Sequence, residues 1–282
     1  MLLGGSNLKA VYSFSLAGRK WAPLKNLPSG RIYHGSVSTE DGIYIVGGTS
    51  NKNVDKFDPL TRNFKNVSSL EIYLEYFGIC QYNSESFIVA GGYETSKTTY
   101  LYNTKYNTFK QVGDLNSKRV GDVLVKSEDG DIYAIGGMKS RNELSNTIEK
   151  FDRKNQSWKV VDAKLVLSRF NHQAVAYKNF IYVIGGRLQT GSVTNTIEKF
   201  NLRTEKVEIM QTKLNVARTG FAVAKLKKYV YIIGGDTTDY SIRPRPTATS
   251  TNSVEILDLE LETIEAGVNL PFEGEYFTAN VL

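Results

Sequence analysis

The chain has 282 residues, 41% of them hydrophobic, with a formal charge of +6 and a single cysteine, Cys80. That is enough apolar material for one sizeable core, and the lone thiol excludes an internal disulfide, which fits a reducing compartment. The basic residues are dispersed, with nothing denser than Lys227-Lys228 or Arg243-Pro244-Arg245, so the charge reads as solvated surface and a nucleic-acid partner is not expected.

From the N-terminus onward a Gly-Gly pair recurs six times after a short apolar run: Gly4-Gly5, Gly47-Gly48, Gly91-Gly92, Gly136-Gly137, Gly185-Gly186 and Gly234-Gly235, 43 to 49 residues apart. Runs such as Ile43-Tyr44-Ile45-Val46 and Ile181-Tyr182-Val183-Ile184 are β-branched and aromatic, of strand length, and stopped by glycine. The first pair has only Met1-Leu2-Leu3 before it, so the chain opens partway into such a strand, as a fragment of a longer parent would. After each pair comes an aromatic or apolar marker (Phe14, Phe57, Tyr102, Phe151, Phe200, Leu257), and seven residues later a second (Trp21, Phe64, Phe109, Trp158, Val207, Ile264). A constant interval of seven suits two antiparallel strands and a tight turn, as in Phe57-Asp58-Pro59-Leu60-Thr61-Arg62-Asn63-Phe64, where Asp-Pro starts the turn. Ten or eleven residues further on stand Arg31, Glu75, Arg119, Arg169, Arg218 and Glu275, each opening another strand-like stretch. Each unit thus holds four strands: a from the Arg or Glu, b ending in Gly-Gly, then c and d. Length varies only between b and c.

Gly-Gly after an Ile-Tyr strand, followed by a segment such as Asn146-Thr147-Ile148-Glu149-Lys150-Phe151-Asp152 and a late aromatic, resembles the kelch repeat over the whole chain, and most of all the kelch domain of BTB-kelch (Kelch-like) proteins. The resemblance implies an all-β, six-bladed propeller with strand a at the axis and d outermost. It also implies ring closure by a C-terminal strand a, Glu275-Tyr276-Phe277-Thr278, beside N-terminal strands b, c and d. The expected division is one domain over 1–282, with blade 1 at 275–282 plus 1–27, blade 2 at 28–70, blade 3 at 71–115, blade 4 at 116–165, blade 5 at 166–214 and blade 6 at 215–274.

In an up-and-down blade the variable b-to-c loops share a face with the start of strand a, and tolerated insertions on one face mark where partners are met. Partner contact is therefore expected from Arg31, Glu75, Arg119, Arg169, Arg218 and Glu275 around the channel mouth. It is also expected from Ser6, Thr49, Tyr93, Met138, Arg187 and Asp236 after the glycine pairs. Arginine's planar fork suits carboxylates, so the side holding Arg119, Arg169 and Arg218 points to an acidic peptide. Reversing those three charges together should abolish capture and leave the fold intact. The resemblance implies the same use of these arginines, with Glu75 and Glu275 departing from the pattern. The loop from Asp236 to Asn252, rich in Ser, Thr and Pro, reads as extended and mobile, a partner clasp or a plain insertion.

The resemblance makes the chain a protein-interaction module: the substrate-recognition part of a cullin ubiquitin-ligase adaptor, binding a peptide or loop of its target and reaching cullin through a BTB domain outside the chain. Two other readings stay open, a kelch-type sugar mutarotase or epimerase using Arg and Glu in the channel, and an actin-binding kelch protein. The only histidines, His34 and His172, fall in opposite blades and cannot share one metal. No phosphate loop or nucleophile elbow is present, so neither enzyme activity nor a cofactor is expected. Cys80 reads as a buried filler. With no apolar stretch near the ~20 residues of a membrane span and no leader, a cytoplasmic protein without a membrane partner is expected.

Overall fold

The computed structural model describes every residue except Arg245. The apolar runs before the glycine pairs become the second strands of six four-stranded antiparallel sheets. In the order a, b, c, d these are Gly35–Thr39, Gly42–Val46, Asn53–Asp58 and Asn63–Ser69 in blade 2, and Phe77–Asn83, Ser86–Gly91, Thr99–Asn103 and Thr108–Val112 in blade 3. Blade 4 has Val123–Lys126, Ile132–Ile135, Thr147–Asp152 and Ser157–Lys164, and blade 5 has Gln173–Tyr177, Phe180–Ile184, Thr196–Asn201 and Lys206–Lys213. Blade 6 has Ala222–Leu226, Tyr229–Ile233, Val254–Asp258 and Thr263–Ala266. Blade 1 joins both ends of the chain, Thr278–Ala279 pairing with Leu2–Leu3, followed by Val11–Ser15 and Lys20–Pro23. Each strand a touches the strand a of the next blade, round to the first, so the sheets form a closed six-bladed propeller.

The six marker pairs face one another across strands c and d: Phe14 and Trp21, Phe57 and Phe64, Tyr102 and Phe109, Phe151 and Trp158, Phe200 and Val207, Leu257 and Ile264. Each turn between them holds one residue at positive φ, two places before the second marker (Arg19, Arg62, Asn107, Gln156, Glu205, Glu262), which explains the fixed interval. Strand b is buried on both faces: Ile45, Val46, Ile88, Ile135, Ile184 and Ile232 are fully covered by adjoining blades. A single four-stranded sheet cannot cover both of its faces, so the apolar contacts between blades supply the core.

Candidate interaction surface at the channel mouth

The glycine pairs do more than end a strand. In every blade the N–H of the second glycine donates to a backbone carbonyl at the start of the next blade: Gly5 to Arg31, Gly48 to Leu74, Gly92 to Arg119, Gly137 to Arg169, Gly186 to Arg218 and Gly235 to Gly274, all at 2.8–3.2 Å. A side chain on Gly48 would sit 3.0 Å from the Ile32 carbonyl oxygen and from Arg31 Cβ, and φ there is 100°, so only glycine fits without displacement. This repeating bond fixes the register and corrects one expectation. Leu74 and Gly274, rather than Glu75 and Glu275, occupy the arginine position in blades 3 and 1. The glutamates stand one residue later, level with Ile32, Val120, Phe170 and Thr219.

A second correction concerns the four arginines. Their side chains are fully buried, each paired with a carboxylate on strand c of its own blade: Arg31 with Asp55 at 2.5 Å, Arg119 with Glu149 at 2.9 Å, Arg169 with Glu198 at 2.5 Å and Arg218 with Glu255 at 2.7 Å. Each guanidinium also donates to the carbonyl of the first glycine in its blade, Gly47, Gly136, Gly185 or Gly234. In blades 4, 5 and 6 the carboxylate accepts two more backbone N–H groups from the link between strand d and the next strand a, as Glu198 does from Val166 and Leu167. Arginine's fork thus ties strands a, b and c together at the mouth, and no face of it is left for a partner. The sequence carries the signal. Two residues before the first marker stand Asp55, Glu149, Glu198 and Glu255 in the arginine blades, but Tyr12 and Tyr100 in the two without.

What the mouth offers instead comes from the residues just after these positions. Ser6, Thr49 and Tyr93 are exposed, Tyr93 at 65%, while Met138 is half-buried. The N–H groups of Thr49, Tyr93 and Ser6 donate to the carbonyls of Ile32, Glu75 and Glu275 at 2.9–3.0 Å, which seats all six residues on one rim. Arg187 and Asp236, expected at this rim as contacts, are buried against each other at 2.6 Å, with the Arg187 guanidinium 4.5 Å from the Tyr240 ring. This pair binds the b-to-c loops of blades 5 and 6 together. The long loop is consequently tied at its base, with Thr237 N–H donating to Thr249 and Tyr240 N–H to Gly191, while Ser241 to Pro244 and Thr247 to Thr249 are exposed. Arg245 of the basic cluster lies outside the described residues.

Burial, reinforced by the Asp236 carboxylate and opposed by Arg187, pushes the Glu275 carboxyl up to about 7. Its protonation therefore changes the charge of the rim near neutral pH. Carbon-detected NMR titration of this carboxyl is expected to give a midpoint near that value, and Asp236→Asn should lower it; a midpoint in the ordinary carboxylate range would contradict the burial.

Below the rim the axis is closed. The second residue after the arginine register has positive φ in every blade: Tyr33, Tyr76, Gly121, Asn171, Gly220 and Tyr276. Backbone bonds run from blade to blade through these residues, Tyr76 to Tyr33, Gly121 to Tyr76, Asn171 to Gly121 and Gly220 to Asn171 at 2.7–3.1 Å. Holding a bulky residue in that region costs about 1–3 kcal/mol. The tyrosines recover part of this by packing: Tyr33 stacks on Tyr76 at 3.9 Å and meets Tyr276 edge-on at 4.5 Å. They line a cavity of about 100 Å³ with His34, Asp122 and His172, well below the roughly 300–1,000 Å³ of small-molecule sites. The sequence reading passed over this tyrosine triad, although Tyr33, Tyr76 and Tyr276 each stand directly before His34, Phe77 or Phe277.

His34 and His172 occupy matching places, each ring packed on the first glycine of the preceding blade, Gly4 and Gly136. Burial, with nearby arginines adding to it, lowers both to about 3, so both are neutral at physiological pH. His34 Nε2 is 3.0 Å from Thr278 Oγ1, whereas neither nitrogen of His172 has a partner. Cys80 is buried and its thiol is pushed up to about 12 by that burial, which makes it a poor nucleophile. Among the described residues no His, Cys, Asp and Glu side chains group as a metal site, and no helix is long and apolar enough to cross a membrane.

A family model described as the KLHDC2/KLHL20/DRC7 Kelch-repeats domain matches residues 77–266. The chain belongs to the kelch-repeat family. Among curated relatives, Kelch-like protein 40 of Xenopus laevis is 27% identical over 179 residues, covering 56% of this chain and 29% of the relative. Alpha-scruin of Limulus polyphemus is 22% identical over 61% of this chain and 15% of its own length. Human Kelch-like protein 24 is 28% identical over 39% of this chain and 18% of its own. This kelch chain thus matches less than a third of the length of each of these relatives. Among solved structures, that of YjhT superposes with a TM-score of 0.80 at 12% identity, covering 91% of this chain and 89% of the other, a likeness of fold alone.

Proposed function

We propose that this kelch propeller is a protein-interaction module that holds a peptide or loop of its partner on the face carrying the b-to-c loops. The observation that carries the reading is the contrast between the two parts of the mouth. The repeating positions are consumed by the structure, the arginines by buried ion pairs and the glycines by bonds between blades. The positions that vary from blade to blade, Ser6, Thr49, Glu75, Tyr93, Met138 and Glu275, stand on one rim. An exposed Tyr93 beside a closed axis suits the capture of a segment lying across the mouth, since aromatic residues contribute strongly at interfaces. With the arginines withdrawn, the charges among these rim positions are Glu75 and, above about pH 7, Glu275, so an acidic ligand loses its support and a segment with basic or neutral contacts is favoured. The resemblance to Kelch-like proteins supports, as the finer reading, recognition of a target for a cullin ubiquitin-ligase adaptor.

A photo-crosslinking amino acid placed at Tyr93 tests this, with Tyr106 as control, an equally open residue at 68% exposure in the c-to-d turn of the same blade. Partner adducts are expected from position 93 and not from 106. Adducts from 106 alone would place recognition on the other face and overturn the proposal.

A further inference from the structure

The turns between strands c and d all lie on the face away from the mouth, and one side chain holds each of them. Asp58 accepts the Leu60 and Thr61 N–H groups at 2.8 and 3.4 Å, and Asn103 accepts those of Lys105 and Tyr106 at 3.0 and 2.9 Å. Asp152, Asn201 and Asp258 do the same in blades 4, 5 and 6, and Ser15 Oγ accepts from Gly18 in blade 1. The turns are alike, but their tips are not. Blades 4 and 5 present Lys154-Asn155 and Arg203-Thr204, whereas blades 1, 2 and 3 present Leu16, Leu60 and Tyr106 at 51%, 94% and 68% exposure. Since the same turn closes with polar tips, nothing in the fold calls for apolar ones, and Leu60 is the most exposed large apolar side chain among the described residues. Beside these tips stand Arg19, Lys20, Arg62 and Lys105, all exposed and none ion-paired among the described residues. Asp58, the carboxylate of these three turns, is spent on the N–H groups of its own turn. The acids Glu40, Asp41 and Glu85 of blades 2 and 3 belong to the turns between strands a and b, nearer the axis, and Asp41 is paired with Lys56 at 2.7 Å. In blade 6 the exposed Leu261 sits between Glu260 and Glu262, which ends the basic arc.

We propose that the outer edge of blades 1 to 3 on this face docks on the surface of an anionic lipid bilayer, with Leu16, Leu60 and Tyr106 entering the headgroup region and the four basic residues meeting lipid phosphates. Apolar side chains rimmed by lysine and arginine are what interfacial binding to anionic lipid uses, and it needs no spanning segment. The tips stand on three separate blades and make no continuous patch for a protein to cover, whereas a bilayer takes in each tip on its own. Held turns on one closed ring present the three together, so contacts that are weak singly act in concert. This face is opposite the mouth, so the docking leaves the rim toward solution and does not depend on the function proposed for it.

The test is co-sedimentation of the full chain with phosphatidylcholine vesicles that contain or lack phosphatidylserine. The expected result is binding to the phosphatidylserine vesicles that weakens as salt is raised, and at least about tenfold weaker binding to phosphatidylcholine alone. Charge by itself would draw a chain of +6 to anionic vesicles, so the deciding variant keeps every charge: Leu16→Ser, Leu60→Ser and Tyr106→Ser together, at exposed positions that leave the fold intact, should bind phosphatidylserine vesicles at least about tenfold more weakly. A tryptophan placed at the most exposed tip, Leu60→Trp, should be quenched by bromine-labelled acyl chains beyond the quenching of the parent chain. No vesicle binding, binding unchanged in the triple variant, or no added quenching at position 60 overturns the proposal.

Discussion

Replacing Arg169 by Ala is expected to destabilise the propeller by about 3–5 kcal/mol, because it strands the Glu198 carboxylate in the interior with its cationic partner gone. The Arg169 guanidinium has no exposure and donates to Glu198, to Thr196 and to the Gly185 carbonyl, so the substitution also leaves a buried carbonyl short of a donor. Urea unfolding followed by tryptophan fluorescence measures the loss. Replacing Arg169 and Glu198 together with methionine should recover most of it, since an apolar pair of similar volume removes both desolvated charges. A single mutant within about 1 kcal/mol of the wild type would refute the assignment of this pair as a tie between strands. The expectation that Arg119, Arg169 and Arg218 can be reversed with the fold intact is therefore withdrawn. Three buried carboxylates facing three introduced carboxylates would open the ring, and lost partner capture would report unfolding.

Asp122→Asn is expected to stabilise the protein at pH 8 and to leave it nearly unchanged at pH 4. Asp122 is buried where blade 3 meets blade 4, against Gly78, Gly91 and Gly137, and neither carboxylate oxygen has a hydrogen-bond partner. Burial raises it to about 8; Arg119 opposes the shift and Glu149 adds to it. The folded state therefore holds this proton more tightly than the unfolded state does, and the group's favourable contribution is complete below the ordinary carboxylate range. It drains away as pH rises through neutrality to about 8 and is then level. Each pKa unit is worth about 1.4 kcal/mol, so the gain at pH 8 should reach several kcal/mol. His34 and His172 act in the opposite sense: lowered to about 3, they contribute fully above the usual imidazole range and lose that contribution progressively as pH falls from there to about 3. Subtracting the variant's stability from the wild type's at each pH cancels the histidines. A difference independent of pH from 4 to 8 would show that Asp122 is charged, and paired, in the folded protein.

Much of the architecture was legible because the features that build it recur. Gly-Gly sits where one blade's backbone meets the next, and the marker interval is the length of one hairpin, so neither tolerates drift. The arginines were legible as a ring but not as interior residues. A side chain that can serve as a ligand fork looks identical in sequence when it serves as a brace, and only the matching acids Asp55, Glu149, Glu198 and Glu255 tell the two apart. Glu75 and Glu275 were aligned with the arginines because charge drew the eye past Leu74 and Gly274. The spacing to the next glycine pair hides the offset in blade 3, because the hairpin between its strands a and b carries an irregularity between Gln81 and Asn83. The tyrosine triad and Asp122 were missed for a different reason: their neighbours come from other blades, and contacts across a ring have no fixed separation along the chain.

The seam of blade 1 has a mechanical consequence. Strands a and b of the other blades are tethered by a covalent hairpin, whereas here the two meet only through Leu2 with Ala279, Leu3 with Thr278 and the Met1 to Asn280 contacts. A circle of like parts has no natural place to start coming apart unless one joint differs, and this joint is untethered. Thermal opening should therefore begin at this clasp, exposing the flanks of blades 2 and 6 while the other blades still hold one another.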